Sequence, residues 1–314
     1  MEYRIGSEAD GLTLKSYLLR TLGMSSSQLI SVKKLPMGLC VNGEHVTVRY
    51  ILRAGDLLTV DTEERESSDT VVPVKLPLCI LYEDRDYIIA NKPPRMPTHP
   101  SHGHYEDTLA NALAYYYREA GEPFVFRACS RLDRDTSGVV TAAKNRAAAY
   151  RFQTAHMAGE IGKTYLAVLC GKLREPVGEI DIPIRRKEDS VITRIAAEDG
   201  APALTRYRVL AEGVSPAGEP MTLVRADPVT GRTHQLRVHF AHAGCPIAGD
   251  FLYGREQPEL ISRQALHCAA VSFVHPTLGR ITVSAAVPDD FRRLCSLCFG
   301  RAGKEVPSCF PKIP

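Results

Sequence analysis

The first sixty residues place their apolar side chains at helical intervals and then in short alternating runs. Five of these residues fit one helix that Gly23 can end: Leu12, Leu14, Tyr17, Leu18 and Leu22. A second helix is expected around Leu29, with the serines at 25–27 as its N-cap. Asn42-Gly43 predicts a tight hairpin turn, and Leu57–Val60 predicts a further strand. This segment is therefore expected to form a small α/β unit.

After residue 70 the pattern alternates between short apolar strands and amphipathic helices. Strands are predicted at residues 87–90, 139–143, 165–169, 205–210, 222–225, 271–274 and 281–284, the last two as a hairpin. Helices are predicted at 109–117, capped by Asp107 or Thr108 and ended by Gly121, and after an Asn145 cap. A third helix is expected to run from a Thr233 cap to Ala243.

Charge separates the chain into two parts that its length already suggests. A chain of 314 residues is long enough for two domains. Residues 12–53 carry six basic and one acidic side chain, whereas residues 56–69 carry six acidic and one basic. The acidic stretch reads as a solvated linker, so we expect a domain at 1–70 and another at 71–314. The net charge of +3 is too small to identify a nucleic-acid partner by itself.

The remaining composition excludes several classes of protein. A hydrophobic content of 44% and a charged content of 24% are ordinary for a globular protein. No apolar run reaches the length of about 18 residues that a membrane span needs, and the N-terminus resembles no signal peptide. Nine scattered cysteines then read as reduced thiols, and the protein is expected to be cytoplasmic.

No motif for a metal or a nucleotide cofactor stands out. His99, His102 and His104 lie in a turn-rich loop without a cysteine or carboxylate in register, and Cys295 and Cys298 form an isolated pair. The glycine-rich phosphate and dinucleotide fingerprints are absent from the sequence. We therefore expect no cofactor and no metal.

The densest candidate chemistry lies in the octapeptide at residues 131–138. Asp133 stands between Arg131 and Arg134, and neighbouring cations favour the ionised form of a carboxylate. An ionised aspartate can act as a nucleophile or a general base. The same residues could instead form a salt-bridged surface turn in which residues 135–137 act as caps.

Two further segments allow both a functional and a structural interpretation. Residues 227–239 run from a strand through a turn into a helix, and the basic side chains there would suit an anion such as phosphate. Leu236 and Phe240 are expected to point inward with Arg237 on the flank, but a helix with a charged solvent face fits equally. Tyr165, near the start of a strand, could be core or could stack on a base.

Taken together, these segments resemble the RluA-type pseudouridine synthases. The resemblance rests on RLDRDTSG at 131–138, KTYLA at 163–167, GRTHQLRVHF at 231–240 and PIAGD at 246–250, with weaker matches upstream and downstream. These motifs follow one another in order across roughly residues 78–290. The first segment resembles, more weakly, the ribosomal-protein-type (S4-like) RNA-binding module. One departure is Cys129-Ser130, where the family more often has a histidine before the arginine.

The resemblance implies a fold, a reaction and a set of site residues. The fold is α+β, with a mixed, mainly antiparallel central sheet, flanking helices and a catalytic cleft. The reaction is the isomerisation of particular uridines in ribosomal or transfer RNA to pseudouridine, which needs no cofactor. Asp133 would attack ribose or stabilise a glycal-type intermediate, Tyr165 would stack on the base and Arg237 would pair with the aspartate. The expected substrate contacts are Arg131, Arg134, Thr136, Arg232, His234 and Gln235. The expected RNA contacts of the first module are Lys15, Arg20, Lys33, Lys34 and Arg49.

Two other functions remain open at this level. A nucleoside or glycoside hydrolase would need a second carboxylate, for which Asp135 is the nearest candidate. An RNA-binding assembly factor without catalysis would need none of the site residues. For a pseudouridine synthase we expect an RNA partner, no membrane and a monomer.

Overall fold

The computed structural model describes residues 2–24, 26–61 and 71–304, with the backbone alone for 27, 28, 31 and 301–304. The serine at 25 and the acidic stretch at 63–69, which the sequence assigns to an N-cap and a linker, lie outside the described residues. No helix in the described part of the chain is long and apolar enough to cross a membrane.

The first sixty residues form a four-stranded sheet beside short helices. Its elements are β1 (Glu2–Arg4), α1 (Leu14–Ser16, continued by a π-turn over Tyr17–Thr21), α2 (Ser26–Lys33), β2 (Leu39–Val41), β3 (Glu44–His45) and β4 (Leu57–Val60), in the sheet order β1-β4-β2-β3. The predicted hairpin is confirmed, because Asn42 and Gly43 both have positive φ, as a tight two-residue turn requires. Leu14, Leu18 and Leu58 are fully buried in a core of this segment's own residues.

A ten-stranded sheet organises the rest of the chain. Its strands are β5 (Ile80–Glu83), β6 (Tyr87–Lys92), β7 (Arg127–Ala128), β8 (Ser137–Ala143), β9 (Gly162–Cys170), β10 (Val177–Asp181), β13 (Leu204–Val214), β14 (Pro220–Pro228), β15 (Leu266–His275) and β16 (Gly279–Ser284). A separate two-stranded sheet pairs β11 (Ile184–Arg186) with β12 (Arg194–Ala196). The helices are α3 (Leu109–Ala120), α4 (Arg146–Met157), α5 (Gln235–His242) and α6 (Asp289–Lys304).

The order of the sheet brings distant segments of the chain side by side. The order is β10-β13-β14-β9-β15-β8-β6-β5, with β16 on β15 and β7 on β8. Among the described strands every pairing is antiparallel except that of β8 with β15, so the predicted mixed, mainly antiparallel α+β fold is confirmed. At that parallel pairing Gly138 has a φ of +117°, and a Cβ there would stand 2.1 Å from the carbonyl oxygen of Cys268. Glycine is therefore required where the motif at 131–138 enters the sheet.

Helices cover the sheet on both faces. Along β6, Tyr87 and Ile89 pack toward Phe152 of α4, whereas Ile88 packs toward Leu113 of α3. The predicted α3 caps are confirmed: Thr108 forms a capping box with Asn111, and Gly121 ends the helix in the left-handed conformation.

The predicted Thr233 cap is wrong. Helix α5 starts at Gln235, and His234 occupies the N-cap position with a φ of +57° and no side-chain cap hydrogen bond.

Candidate active site

One large cavity, about 700 Å³ in volume, lies over the face of the sheet at the start of β9. Residues from 97–104, 128–136 and 228–237 form most of its wall, and Lys163 and Tyr165 of β9 line it as well. All nine site residues predicted outside the first module line this cavity. Among its lining residues Asp133 is the one carboxylate, against five lysines and arginines: Arg131, Arg134, Lys163, Arg232 and Arg237.

A buried arginine in the wall of this cavity binds two carboxylates, one that lines the cavity and one that lies behind the wall. Nη1 of Arg237 donates to Oδ2 of Asp133 across 3.2 Å. On its other side, the same guanidinium donates from Nε and Nη2 to the two carboxylate oxygens of Asp250, across 2.7 and 2.8 Å. Arg237 is 4% exposed and Asp250 is fully buried. The fork of Arg237 is thus held from behind by Asp250 while one nitrogen remains for Asp133.

The immediate neighbours of Asp133 in sequence do not supply its partner. Arg134 turns instead to Asp135, whose carboxylate accepts its Nη2 hydrogen bond across 3.0 Å. The expectation that Arg134 flanks Asp133 as a counterion is therefore wrong. Within the described part of the chain, Asp133 instead pairs with Arg237, which lies 104 residues after it in the sequence. The second-carboxylate candidate, Asp135, is occupied by Arg134 and lies outside the lining of the cavity.

Three polar side chains hold the backbone of the Asp133 loop. Lys92 donates from Nζ to the carbonyl of Arg134 across 2.9 Å, and Arg263 donates to the carbonyl of Asp135 across 3.0 Å. The hydroxyl of Thr98 donates to the carbonyl of Leu132 and accepts its N–H. Lys92 also donates to the carbonyls of Pro93 and Met96 and is fully buried, so burial lowers its pKa to about 7. These bonds fix the loop that carries Asp133.

Tyr165 provides the aromatic surface of the cavity. Tyr165 is 8% exposed and stands opposite Cys268 on β15, the neighbouring strand. Burial raises the pKa of the Tyr165 phenol well above its ordinary value, so the hydroxyl is neutral at physiological pH. Lys163 lines the same cavity two residues earlier on β9, and burial lowers the pKa of its ammonium.

The turn before α5 presents one histidine to Asp133 and uses one glutamine internally. Nε2 of His234 lies 3.8 Å from Oδ2 of Asp133. The Gln235 amide accepts from the Thr230 hydroxyl and from the backbone N–H of Arg232. It donates to the Leu204 carbonyl and to the Thr205 hydroxyl on β13. Each of these four hydrogen bonds joins the Gln235 amide to another residue of this protein, so Gln235 stabilises the turn.

The other predicted contacts differ in how freely they can meet a ligand. Arg131 and Arg232 are exposed at the cavity, and Nε of Arg232 donates to the carbonyl of Pro202. Thr136 is 2% exposed, and its hydroxyl accepts a hydrogen bond from the Gln264 amide. Thr136 therefore supports the loop from inside.

The basic residues predicted for the first module are all solvent-exposed. Lys15, Arg20, Lys33, Lys34 and Arg49 are exposed, and none of them lines the cavity. No cluster of three metal-binding side chains occurs within the part of the chain that the structure describes.

The fold brings to the site four residues for which the sequence predicted no role. Lys92, Asp250, Tyr253 and Arg263 bind the loop, the arginine or the histidine described above. Asp250 lies inside the PIAGD motif, and an aspartate directly after a glycine was the signal that the sequence offered. Lys92 lies in one of the weaker upstream matches to the family, at 90–94, but no role was predicted for it. Arg263 carried no local signal, because isolated basic residues are common on protein surfaces.

Comparisons with known proteins show the family to which the chain belongs. A family model described as RNA pseudouridylate synthase matches residues 86–242. An uncharacterized RNA pseudouridine synthase of Bacillus subtilis (strain 168), YjbO, is 39% identical over 90% of this chain and 98% of its own. A ribosomal large subunit pseudouridine synthase D of Yersinia pestis is 34% identical over 81% of each chain. The solved structure of human RNA pseudouridylate synthase domain containing 1 shares 31% identity with a TM-score of 0.58, and the match covers 71% of this chain and 88% of that one.

Proposed function

The chain belongs to the RNA pseudouridylate synthase family and isomerises uridine in RNA to pseudouridine, and we propose that Asp133 carries this reaction in the cavity over β9. The observation that carries the proposal is the isolation of Asp133 as the one carboxylate among the cationic lining residues. A single ionised carboxylate fits an isomerisation, in which no water enters. Hydrolysis of a glycosidic bond by the usual route requires two carboxylates.

Asp133 and Arg237 act as a pair in this proposal. The reaction breaks the bond between ribose C1′ and N1 of the base, turns the uracil and joins C5 to C1′; the proton that C5 loses is balanced by the proton that N1 gains. Asp133 meets the ribose, either as a nucleophile or as the stabiliser of a glycal-type intermediate. Arg237 aims the carboxylate, because the position of the Arg237 guanidinium is itself fixed by Asp250.

Tyr165 stacks on the uracil while the base turns. Its neutral, buried hydroxyl favours stacking over acceptance of a proton. Arg131 and Arg232, both exposed at the cavity, meet the phosphates and occupy the space that the flipped nucleotide leaves. Arg134 and His234 lie in the same wall and complete the substrate contacts, whereas Thr136 and Gln235 keep the wall in shape.

Large-subunit ribosomal RNA is the substrate that we propose. The support is the name of several relatives, ribosomal large subunit pseudouridine synthase D, which are 32–36% identical to this chain. The first sixty residues serve as a separate RNA-binding module, and their exposed basic side chains contact phosphates outside the cavity. We also propose that the protein works in the cytoplasm and is a monomer. Size-exclusion chromatography with light scattering tests the oligomeric state.

The experiment compares Asp133→Asn with Asp135→Asn on ribosomal RNA fragments. We expect the Asp133 variant to form less than a hundredth of the wild-type pseudouridine while it binds RNA nearly unchanged. The Asp135 variant should stay within about fivefold of wild type, since that carboxylate faces Arg134 outside the cavity. Release of free uracil by the wild type would instead identify a hydrolase. RNA binding without any pseudouridine would identify an assembly factor.

A further inference from the structure

Tyr253 contacts both partners of Asp133, although it lies outside the lining of the cavity. The carboxylate of Asp250, which holds Arg237, also accepts the backbone N–H groups of Leu252 and Tyr253. The position of Tyr253 is therefore set by the same buried carboxylate that sets the arginine.

The hydroxyl of Tyr253 selects one tautomer of His234. The backbone N–H of Arg194 in β12 donates to this hydroxyl across 2.8 Å, and Nδ1 of His234 lies 2.8 Å from it on another side. A backbone N–H can only donate, so the hydroxyl uses a lone pair for Arg194 and keeps its proton for Nδ1. A neutral His234 then carries its proton on Nε2, the nitrogen that lies 3.8 Å from the Asp133 carboxylate.

The ring of Tyr253 supports the other partner. The guanidinium carbon of Arg237 lies 5.0 Å from the ring centroid, in the range of a cation–π contact. The imidazole of His234 meets the same ring edge-on, with centroids 5.6 Å apart. One side chain thus packs against both groups that face Asp133.

We propose that Tyr253 is a positioning residue of the active site, whose hydroxyl aims the Nε2–H of His234 at Asp133 and whose ring supports Arg237. The proposal rests on the function proposed above for Asp133. In this proposal the neutral imidazole of His234 directs its Nε2–H toward the Asp133 carboxylate. When substrate narrows the gap of 3.8 Å, this donor stabilises the ionised aspartate.

The charges around His234 are consistent with a neutral ring. Burial lowers its pKa, Arg237 and Arg194 act in the same direction, and Asp133 and Asp250 oppose them. A hydrogen bond from Tyr253 to Nδ1 favours the neutral imidazole further, because a protonated ring cannot accept there. Loss of that hydroxyl should therefore raise the pKa of His234.

The test uses Tyr253→Phe, with Tyr117→Phe as the matched control. Tyr117 is buried, whereas Tyr253 is half-buried; the Tyr117 hydroxyl donates to Glu83 across 2.6 Å, and neither residue lines the cavity. Nitrogen-15 NMR of labelled histidines reports the tautomer and pKa of His234, whose signal is assigned by its loss in His234→Gln. Single-turnover assays measure the rate of pseudouridine formation.

We expect Tyr253→Phe to lose the pure Nε2–H signature of His234, to raise its pKa and to slow the single turnover about tenfold. Tyr253→Leu should slow it further, since Arg237 then loses the ring. Tyr117→Phe should leave both the histidine signal and the rate unchanged. An unaltered tautomer in Tyr253→Phe, or a rate within twofold of wild type, overturns the proposal. A wild-type protein that forms no pseudouridine overturns the proposed function instead, while the NMR signal still reports on Tyr253.

Discussion

Replacing Asp250 with asparagine tests whether Arg237 depends on support from behind. The substitution keeps the shape of the side chain and removes its charge. Asp250 is fully buried and forms two short hydrogen bonds with Arg237, which is itself 4% exposed. The variant therefore leaves a buried guanidinium with Asp133 as its remaining carboxylate.

The expected loss follows from burial. Removing one partner of a buried ion pair costs roughly 3–5 kcal/mol, because the remaining charge keeps its desolvation penalty. The asparagine oxygen can still accept one hydrogen bond, so we expect the low end, about 3 kcal/mol. A guanidinium that moves by about 1 Å should also slow the chemical step by roughly a hundredfold.

Urea unfolding and single-turnover assays measure the two effects. The control for stability is Asp227→Asn, which removes the carboxylate from another bidentate arginine–aspartate ion pair. That pair joins Arg225 and Asp227 across 2.8 and 3.0 Å, but its side chains are 44% and 36% exposed. Water screens it, so the control should lose no more than about 1 kcal/mol. Equal losses in the two variants, or full activity in Asp250→Asn, would refute the reasoning.

Three further outcomes are expected. Burial lowers the pKa of His267 to about 4, below the value of about 6.5 in an unfolded chain, so the unfolded state takes up the proton first. Stability should therefore fall by about 3 kcal/mol from pH 6.5 to 4, and His267→Gln should lack this part of the loss in urea titrations at each pH. Gln235→Leu should lower the free energy of unfolding by ~2 kcal/mol, because buried partners lose their hydrogen bonds; an unchanged melting curve would count against its structural role. Changing Lys33 and Lys34 together to glutamine should reduce the salt slope of RNA binding by about 1.5, and an unchanged slope would remove them from the interface.

Local elements of the fold could be predicted because their causes are local. The turn at Asn42-Gly43 and the helix between Thr108 and Gly121 depend on residues within four positions of one another. The Thr233 cap failed for the opposite reason. Gln235 donates hydrogen bonds to Leu204 and Thr205 on β13. The N-cap of the helix is His234, one residue later than the predicted Thr233.

The candidate residues could be named from the order of their motifs, but their partners could not. The sequence placed Asp133 beside Arg131 and Arg134, and adjacent letters suggested an ion pair. The chain instead turns Arg134 toward Asp135 and brings Arg237 from α5 to Asp133. Adjacent side chains share a backbone but need not point the same way, so nearness in sequence does not decide a contact.

Local sequence patterns were enough to predict the Asn42-Gly43 turn, the caps of α3 and the strands β6, β8, β9 and β13–β16, and the order of the motifs indicated the class of fold and the candidate residues. Tertiary structure alone decided that β8 runs parallel to β15, that Asp250 stands behind Arg237 and that Tyr253 reaches His234. The physical reason is range. Propensities and caps act over a few residues, whereas these contacts join segments that meet only after the sheet has set its register.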